Sequence, residues 1–190
     1  IPYGATWQES KLHPRAKKYP LLIVSNHPRW RMHAHGDDIS WIREIPTAKI
    51  RGPDGYLYEP LWIHPIDAAK RGIKHGDIVM VYNDRGAVLG GAYVTERIKP
   101  GVVYMDHGAR LDPLSVDEKI DRGGNINTII PNVEQWNPYR GGYDPFMCVS
   151  GYLVEVKKVD IEELKRKHPE AFRRPYDPAA GLVADAWIKG

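Results

Sequence analysis

Between Ser25 and Asp38 the chain reads SNHPRWRMHAHGDD. Three histidines, two arginines, a tryptophan, an asparagine and a serine crowd together, directly after the apolar run Leu21-Leu22-Ile23-Val24. Such a segment cannot be core, because each buried donor without a partner costs about 1–3 kcal/mol. It reads as a loop at a strand end, and its chemistry is anion recognition. Arg29 and Arg31 can fork onto phosphate oxygens. Ser25, Asn26 and His27 can reach phosphate or ribose. The plain alternative is that Arg29 and Arg31 pair with Asp37 and Asp38 on the surface. His33 and His35 make a His-x-His pair, and His27 could complete a chelate. No carboxylate or thiolate nearby belongs to such a set, so no metal ligand is assigned in this chain.

Other polar groups stand apart from that loop. Asp106, His107 and Arg110 follow a short apolar stretch and would make at least a salt-bridged turn. Asn125, Asn127 and Thr128 sit in a Gly-rich turn. An Asn amide donates and accepts, which suits a base edge and equally an Asx turn. Asp67, Asp77 and Asp84 lie beside Gly72, Gly76 and Gly86 and read as caps and turns. Trp136, Tyr139, Tyr143 and Phe146 read as a loop packed on the fold. Cys148 is the only cysteine. It reads as a small buried residue, and it excludes an internal disulfide, a CxxC pair or an iron–sulfur run within this chain. The net charge of +3 is too slight to argue for nucleic acid, and no basic helix or aromatic platform supports that class. No apolar run reaches membrane-spanning length. The expected location is the cytoplasm.

The elements that must position these groups are short. Tyr19 to Val24 reads as a strand buried on both sides. Trp41 to Ile45 fills a helical turn or two, and Tyr58 to Ile63 is a strand. Pro65 opens a short helix that Gly72 ends. Ile78 to Tyr82 and Ala87 to Thr95 are strands joined by the polar turn Asn83-Asp84-Arg85-Gly86. Gly90-Gly91 marks a bulge or a close backbone approach, serving barrel geometry rather than a ligand. Val102 to Met105 and Val149 to Val156 are further strands. Asp160 caps a helix with Glu163 three residues on, and Pro169 stops it near His168. Residues 173–190, with Trp187, read as a tail that docks. Many short strands with few short helices argue for a mainly β barrel or sandwich. The start Ile1-Pro2-Tyr3-Gly4 has no Met and no signal pattern, and reads as a cut end.

From Ile63 to Met105 the motifs HP, DA, RGI, GDIV, NDRG and IKPGVV stand in order. SNHPRWRMHAH precedes them; HGARLDP and RGGNINTI follow. Together, across residues 20–157, they resemble the C-terminal molybdopterin dinucleotide-binding domain of the dimethyl sulfoxide reductase family. SNHPRWRMHAHGDDISWIREIP, GPDGYLYEPLWI and DHGARLDP look like its transhydroxylase branch, of the pyrogallol–phloroglucinol type.

The resemblance implies a double-psi β-barrel of the aspartate-decarboxylase-like class, six- to seven-stranded, over residues 20–157. Residues 1–19 would be a linker or arm, and 158–190 a C-terminal helix and tail. It implies a molybdopterin guanine dinucleotide, carrying molybdenum or tungsten held outside this chain, which the isolated domain need not retain. The contacting residues would be Ser25, Asn26, His27, Arg29, Arg31, His33, His35, His107, Arg110, Asn125, Asn127 and Thr128, converging on one face, with Asp106 in the same wall. No catalytic residue is implied here. The domain would serve an oxidoreductase or transhydroxylase without being catalytic alone. Its partners would be the preceding domains of a parent enzyme and an iron–sulfur subunit, with no nucleic acid and no membrane. A stand-alone cofactor-binding subunit is the alternative. A self-cleaving decarboxylase on the same barrel is discounted, because no Gly is followed by Ser.

Overall fold

The computed structural model describes residues 7–137, 142–147, 150–179 and 181–183; for Trp7, residues 132–137 and 142–147, Ser150 and residues 182–183 it describes the backbone only. The side chains of Trp136, Tyr139, Tyr143, Phe146, Cys148 and Trp187 lie outside the described residues.

Among the described residues, fourteen strands follow in chain order. They are β1 (Leu21–Val24), β2 (Ile50–Arg51), β3 (Leu57–Tyr58), β4 (Pro60–Ile63), β5 (Ile78–Tyr82), β6 (Ala87–Val94), β7 (Val102–Tyr104), β8 (Pro113–Ser115), β9 (Ile120–Asp121), β10 (Asn132–Asn137), β11 (Gly142–Met147), β12 (Ser150–Lys158), β13 (Tyr176–Asp177) and β14 (Leu182–Val183). The helices are α1 (Ser40–Arg43), α2 (Pro65–Ala69), α3 (Ile161–Lys167) and α4 (Pro169–Arg173).

Six strands close on themselves in the order β4-β7-β1-β12-β5-β6, because β6 also pairs with β4. Closure removes exposed edges. Two contacts in the ring are parallel, β1 with β7 and β4 with β6. The rest are antiparallel. Two parallel contacts interlocked in an otherwise antiparallel six-stranded ring make the double-psi arrangement. β9 and β8 extend the sheet beyond β6.

The alternation of side chains along β5 builds two cores. Val79 and Val81 face the barrel interior with Ile23, Leu61, Val88 and Val103. Ile78 and Met80 face outward, against Leu89, Ile161, Leu164 and Ala171. The segment after β12 is therefore held by the outer face of the barrel. Asp160 caps α3 by accepting from the Glu162 amide at 2.8 Å. Pro169 does not simply stop the chain but opens α4, since proline at the first helical position forfeits no hydrogen bond. At the other end, Glu9 is 2% exposed. It accepts from the Leu153 amide at 2.7 Å and from Arg85 at 2.9 Å, pinning the start of the described chain to β12.

Two sequence expectations change. β1 is not buried on both faces: Leu21 and Ile23 are core, while Leu22 and Val24 are half-buried, because the outer face of β1 borders an open cleft. The stretch from Tyr58 to Ile63 is not one strand. It breaks at Glu59, whose carbonyl accepts from the Gly91 amide at 2.8 Å. Gly91 is needed there: a Cβ would lie 2.5 Å from that of Ile50. The glycine pair thus serves close packing, and the β5–β6 register runs without a bulge. Among the described residues, no helix is long and apolar enough to cross a membrane.

Candidate functional site

Two segments leave adjacent parallel strands at the same end of the barrel. The loop after β1 carries residues 25–38, and the segment after β7 carries residues 105–112. Backbone bonds splice them: Met105 donates to the Val24 carbonyl at 3.1 Å, and His107 to that of Asn26 at 3.3 Å. The splice brings three imidazoles together. The ring centroids of His27, His33 and His107 lie 4.4–4.9 Å apart. His107 Nε2 is 3.1 Å from His33 Nδ1, and its Nδ1 is 3.5 Å from the Ser25 carbonyl. His27 and His33 are exposed, while His107 is buried. Burial first, then the neighbouring His27, His33 and Arg31 charges, hold His107 below its ordinary range against the pull of the Ser25 carbonyl.

Gly108 makes the approach feasible. Its φ is +85°, and a Cβ there would sit 2.5 Å from His33 Cα. Gly108→Ala should therefore part His33 from His107 and cost about 1–2 kcal/mol through the left-handed backbone. Chemical denaturation and the proton signals of the two rings check this; an unchanged midpoint with unchanged ring signals would refute it.

Behind the loop lies a buried ionic cluster that the sequence reading did not find. Arg31 is not a solvated loop arginine, and its pairing with Asp37 is not on the surface. Its side chain is 3% exposed, with Nη1 at 3.1 Å from Glu59 and 3.4 Å from Asp37. Asp37 also meets Lys49 at 2.8 Å and Arg43 at 3.3 Å, and Lys49 also pairs with Glu59. Burial pushes the Asp37 carboxyl up, but Lys49, Arg31 and Arg43 together hold it below the usual range. Arg31 Nη2 and Glu59 Oε2 are buried without a hydrogen-bond partner. Besides the pairing of Arg31 with Asp37, the lone carboxylate Glu59 inside the apolar run Tyr56 to Ile63 was the signal of this cluster in the sequence.

On the outer side of β1 and β7 a cleft of about 800 Å³ opens. Its walls include Arg29, Trp30, Trp62, Arg97, Lys99, Tyr104 and Asp106. Trp30 is fixed by its indole N–H, 3.1 Å from the Thr47 hydroxyl. Burial and the nearby Glu59 push the Asp106 carboxyl up, opposed by the Tyr104 hydroxyl that donates to it and by Arg31.

The remaining sequence candidates are placed unequally. Ser25 is buried and Asn26 exposed, both at the splice. Arg110 lies 3.7 Å from Asp38, tying the ends of the two segments together. His35 is exposed, and it is His107, not His35, that completes the imidazole cluster. Asn125 accepts from the Asn127 amide at 3.2 Å, an Asx turn. Asp121 ties that turn to the second segment, accepting from the Asp112 amide at 2.7 Å and the Asn125 amide at 2.6 Å. Among the described residues, no side-chain hydrogen bond joins Asn127 or Thr128 to the loop. Asp77 accepts from the Lys74 amide in a turn, as its place beside Gly76 implied. Asp67 accepts instead from the distant Gly101 amide, and Asp84 pairs with Arg15.

Residues 21–144 match the molydopterin dinucleotide binding domain. The large subunit of pyrogallol hydroxytransferase from Pelobacter acidigallici is 40% identical over 83% of this chain. A dimethyl sulfoxide/trimethylamine N-oxide reductase of Cereibacter sphaeroides is 36% identical over the same share. The chain spans 18% of the length of each of these relatives. Acetylene hydratase from Pelobacter acetylenicus superimposes with a TM-score of 0.58 over 84% of this chain and 21% of its own, at 16% identity, a likeness of fold. The chain belongs to the molydopterin dinucleotide binding domain family, homologous to the domain of dimethyl sulfoxide reductase-type oxidoreductases and transhydroxylases.

Proposed function

We propose that this chain holds the guanine dinucleotide form of the cofactor through its loop and cleft, closing the site against preceding domains of a larger molybdenum or tungsten enzyme. The observation that carries this reading is the cleft beside β1 and β7. There Arg29, Arg97 and Lys99 stand with Trp30, Trp62 and Tyr104. Cations suit a pyrophosphate, and flat aromatic faces suit a guanine or a pterin. The residues fit the group in a second way. The buried cluster sets three cations, Arg31, Arg43 and Lys49, beside Asp37 and Glu59, with the Asp106 carboxyl close enough to act on Arg31. Arg31 Nη2 is buried there without a hydrogen-bond partner, a donor left over for an acceptor.

The cofactor, when bound, supplies the redox or transfer chemistry at its own metal. The residues of this chain bind and orient it. Arg29 is exposed and forks toward the cleft's anion, while Arg31 acts from behind, holding the loop and supplying field. His27, His33, His107, Ser25 and Asn26 form the rim, with Arg110 and Asn125 at its edge. The isolated chain turns over no substrate in this reading.

Arg29→Ala in the full-length enzyme tests it. Loss of one charge-assisted hydrogen bond of about 1.5–3 kcal/mol lowers retention about 10- to 100-fold. Guanine nucleotide released per folded protein is the measurement. The thermal melt should stay within about 1 kcal/mol of wild type, because Arg29 is exposed. Arg29→Lys should recover part of the loss, since an ammonium cannot fork onto two oxygens. Undiminished nucleotide in both Arg29→Ala and Arg97→Ala would sink the cleft as the binding site.

A further inference from the structure

From Phe172 to Pro178 the chain meets three segments of the binding wall, each with a different chemistry. At the loop after β1, the Tyr176 hydroxyl accepts from Arg43 Nη2 at 2.7 Å, and the Pro178 carbonyl accepts from Arg43 Nε at 2.9 Å. The same guanidinium donates through Nη1 to the Asp37 carbonyl at 2.7 Å, so one rigid plane joins the tail to the far end of the loop. At the segment after β7, Arg174 Nη2 lies 2.7 Å from the Asp112 carboxylate and donates to the Pro113 carbonyl at 2.9 Å. At the Asn125 turn the link is Arg122, just ahead of it in the chain. Arg122 donates to Asp112 at 2.9 Å, and its Cζ lies 4.3 Å from the Tyr56 ring centroid and 4.9 Å from that of Phe172. Tyr56 in turn stacks on Tyr176 at 4.2 Å.

These are not surface pairs, for Arg43, Asp112 and Arg122 are all buried. The tail is also seated closely. Gly181 has a φ of +63°, and a Cβ there would collide with the Arg43 guanidinium. Segments that leave different strands move independently unless something ties them. A binding wall must be held to within about 0.5 Å of its working geometry. A common anchor removes that freedom before the ligand arrives and so lowers the ordering cost of binding. Phe172, Arg174 and Tyr176 border a different hollow, of about 450 Å³, and not the cleft of Arg29 and Trp30. Their action therefore passes through Arg43, Asp112 and Arg122.

We propose that Arg174 and Tyr176 are positioning residues for dinucleotide binding. The C-terminal segment clamps the loop after β1, the segment after β7 and the Asn125 turn in their binding arrangement without touching the ligand. The clamp rests on the reading that these segments hold the dinucleotide, and it goes beyond that reading in giving the chain after α4 a part in binding.

Tyr176→Phe in the full-length enzyme is the decisive variant, because it keeps the ring on Tyr56 and removes only the hydroxyl. Two quantities are measured: guanine nucleotide retained per folded protein, and hydrogen exchange of the amides of residues 25–38 in the cofactor-free enzyme. Retention should fall about tenfold, the lower end for losing one hydrogen bond to a charged group, and exchange in the loop should quicken. Arg174→Ala should lower retention likewise and quicken exchange over residues 105–112. Arg174→Lys, which keeps a charge beside Asp112, should recover part of both. Arg173→Ala, which breaks an exposed pair with Glu170 on the same helix, should alter neither. Positioning also requires non-additivity: with Arg29→Ala already in place, Tyr176→Phe should cost less than it does alone, because the contact it positions is gone. The clamp is overturned by wild-type loop exchange in Tyr176→Phe, by undiminished retention, or by a loss that adds in full to that of Arg29→Ala, the mark of independent destabilisation. Failure of the cleft reading shows elsewhere, as undiminished nucleotide in both Arg29→Ala and Arg97→Ala.

Discussion

Glu59→Gln is expected to lower the stability of the chain by about 3–5 kcal/mol, the cost of stripping one partner from a buried ion pair. The side chain of Glu59 is 0% exposed and faces both Lys49 and Arg31. Glutamine keeps the shape and removes the charge. Two cations then share Asp37 with Arg43, in a place where water cannot compensate them. For a chain of this length, each kcal/mol shifts the melting temperature by roughly 2–4 °C. The melt should thus fall by roughly 6–20 °C. Arg173→Ala, which breaks an exposed pair with Glu170, should cost less than about 1 kcal/mol. If Glu59→Gln melts within a few degrees of wild type, the cluster is solvated and contributes no more than a surface pair. Arg31→Ala should destabilise in the same direction, since it leaves Glu59 with Lys49 as its one ionic partner in the cluster. Cofactor loss in an Arg31 variant would then report the scaffold, which is why Arg29 is the sharper probe of binding.

The second large effect is a pH dependence centred on Asp121. Its carboxyl is pushed up from an ordinary 3.8 to about 6 by burial, with the nearby Asp112 charge adding, against the amides of Asn125, Asp112 and Gly123 that donate to it. A group whose folded value is raised contributes stability that is fully present below its unfolded value and is lost as pH rises through the folded one. Here the window runs from about 4 to about 6. Deprotonation across it should cost about 3 kcal/mol, at about 1.4 kcal/mol per unit. The burial of Asp106 pushes in the same direction. Asp37, held low by its cations, acts oppositely: its contribution is lost only as pH falls below the usual carboxylate range. Denaturant midpoints of wild type and Asp121→Asn between pH 4 and pH 7 isolate the effect. The wild type should lose stability over the window relative to the variant. Parallel curves would show that Asp121 ionises freely in the fold. The matter bears on the site, because Asp121 ties the Asn125 turn to the segment that carries His107 and Arg110.

Local physics accounts for what could be read from the chain by itself. Pro65 and Gly72 delimit α2 because one lacks an amide proton and the other tolerates a left-handed backbone, whatever surrounds them. The polar turn at residues 83–86 joins β5 and β6 because its neighbours are apolar and β-prone. Motif order alone marked the family. The loop from Ser25 to Asp38 was recognisable as a binding segment because its donors have no place in a core. Tertiary structure decided which of those donors remain available. Arg29 and Arg31 are two residues apart and chemically identical, yet one is exposed and the other is buried among Asp37, Glu59 and Lys49. Their difference depends on Glu59, twenty-eight residues beyond Arg31, being brought in where β3 gives way to β4. His107 displaces His35 from the imidazole cluster for the same reason: β7 runs parallel beside β1, so its exit segment meets the loop although seventy-four residues separate His33 from His107. Propensity and pattern act over a few residues, while a binding site is assembled by strand neighbours whose partnership only the closed barrel defines.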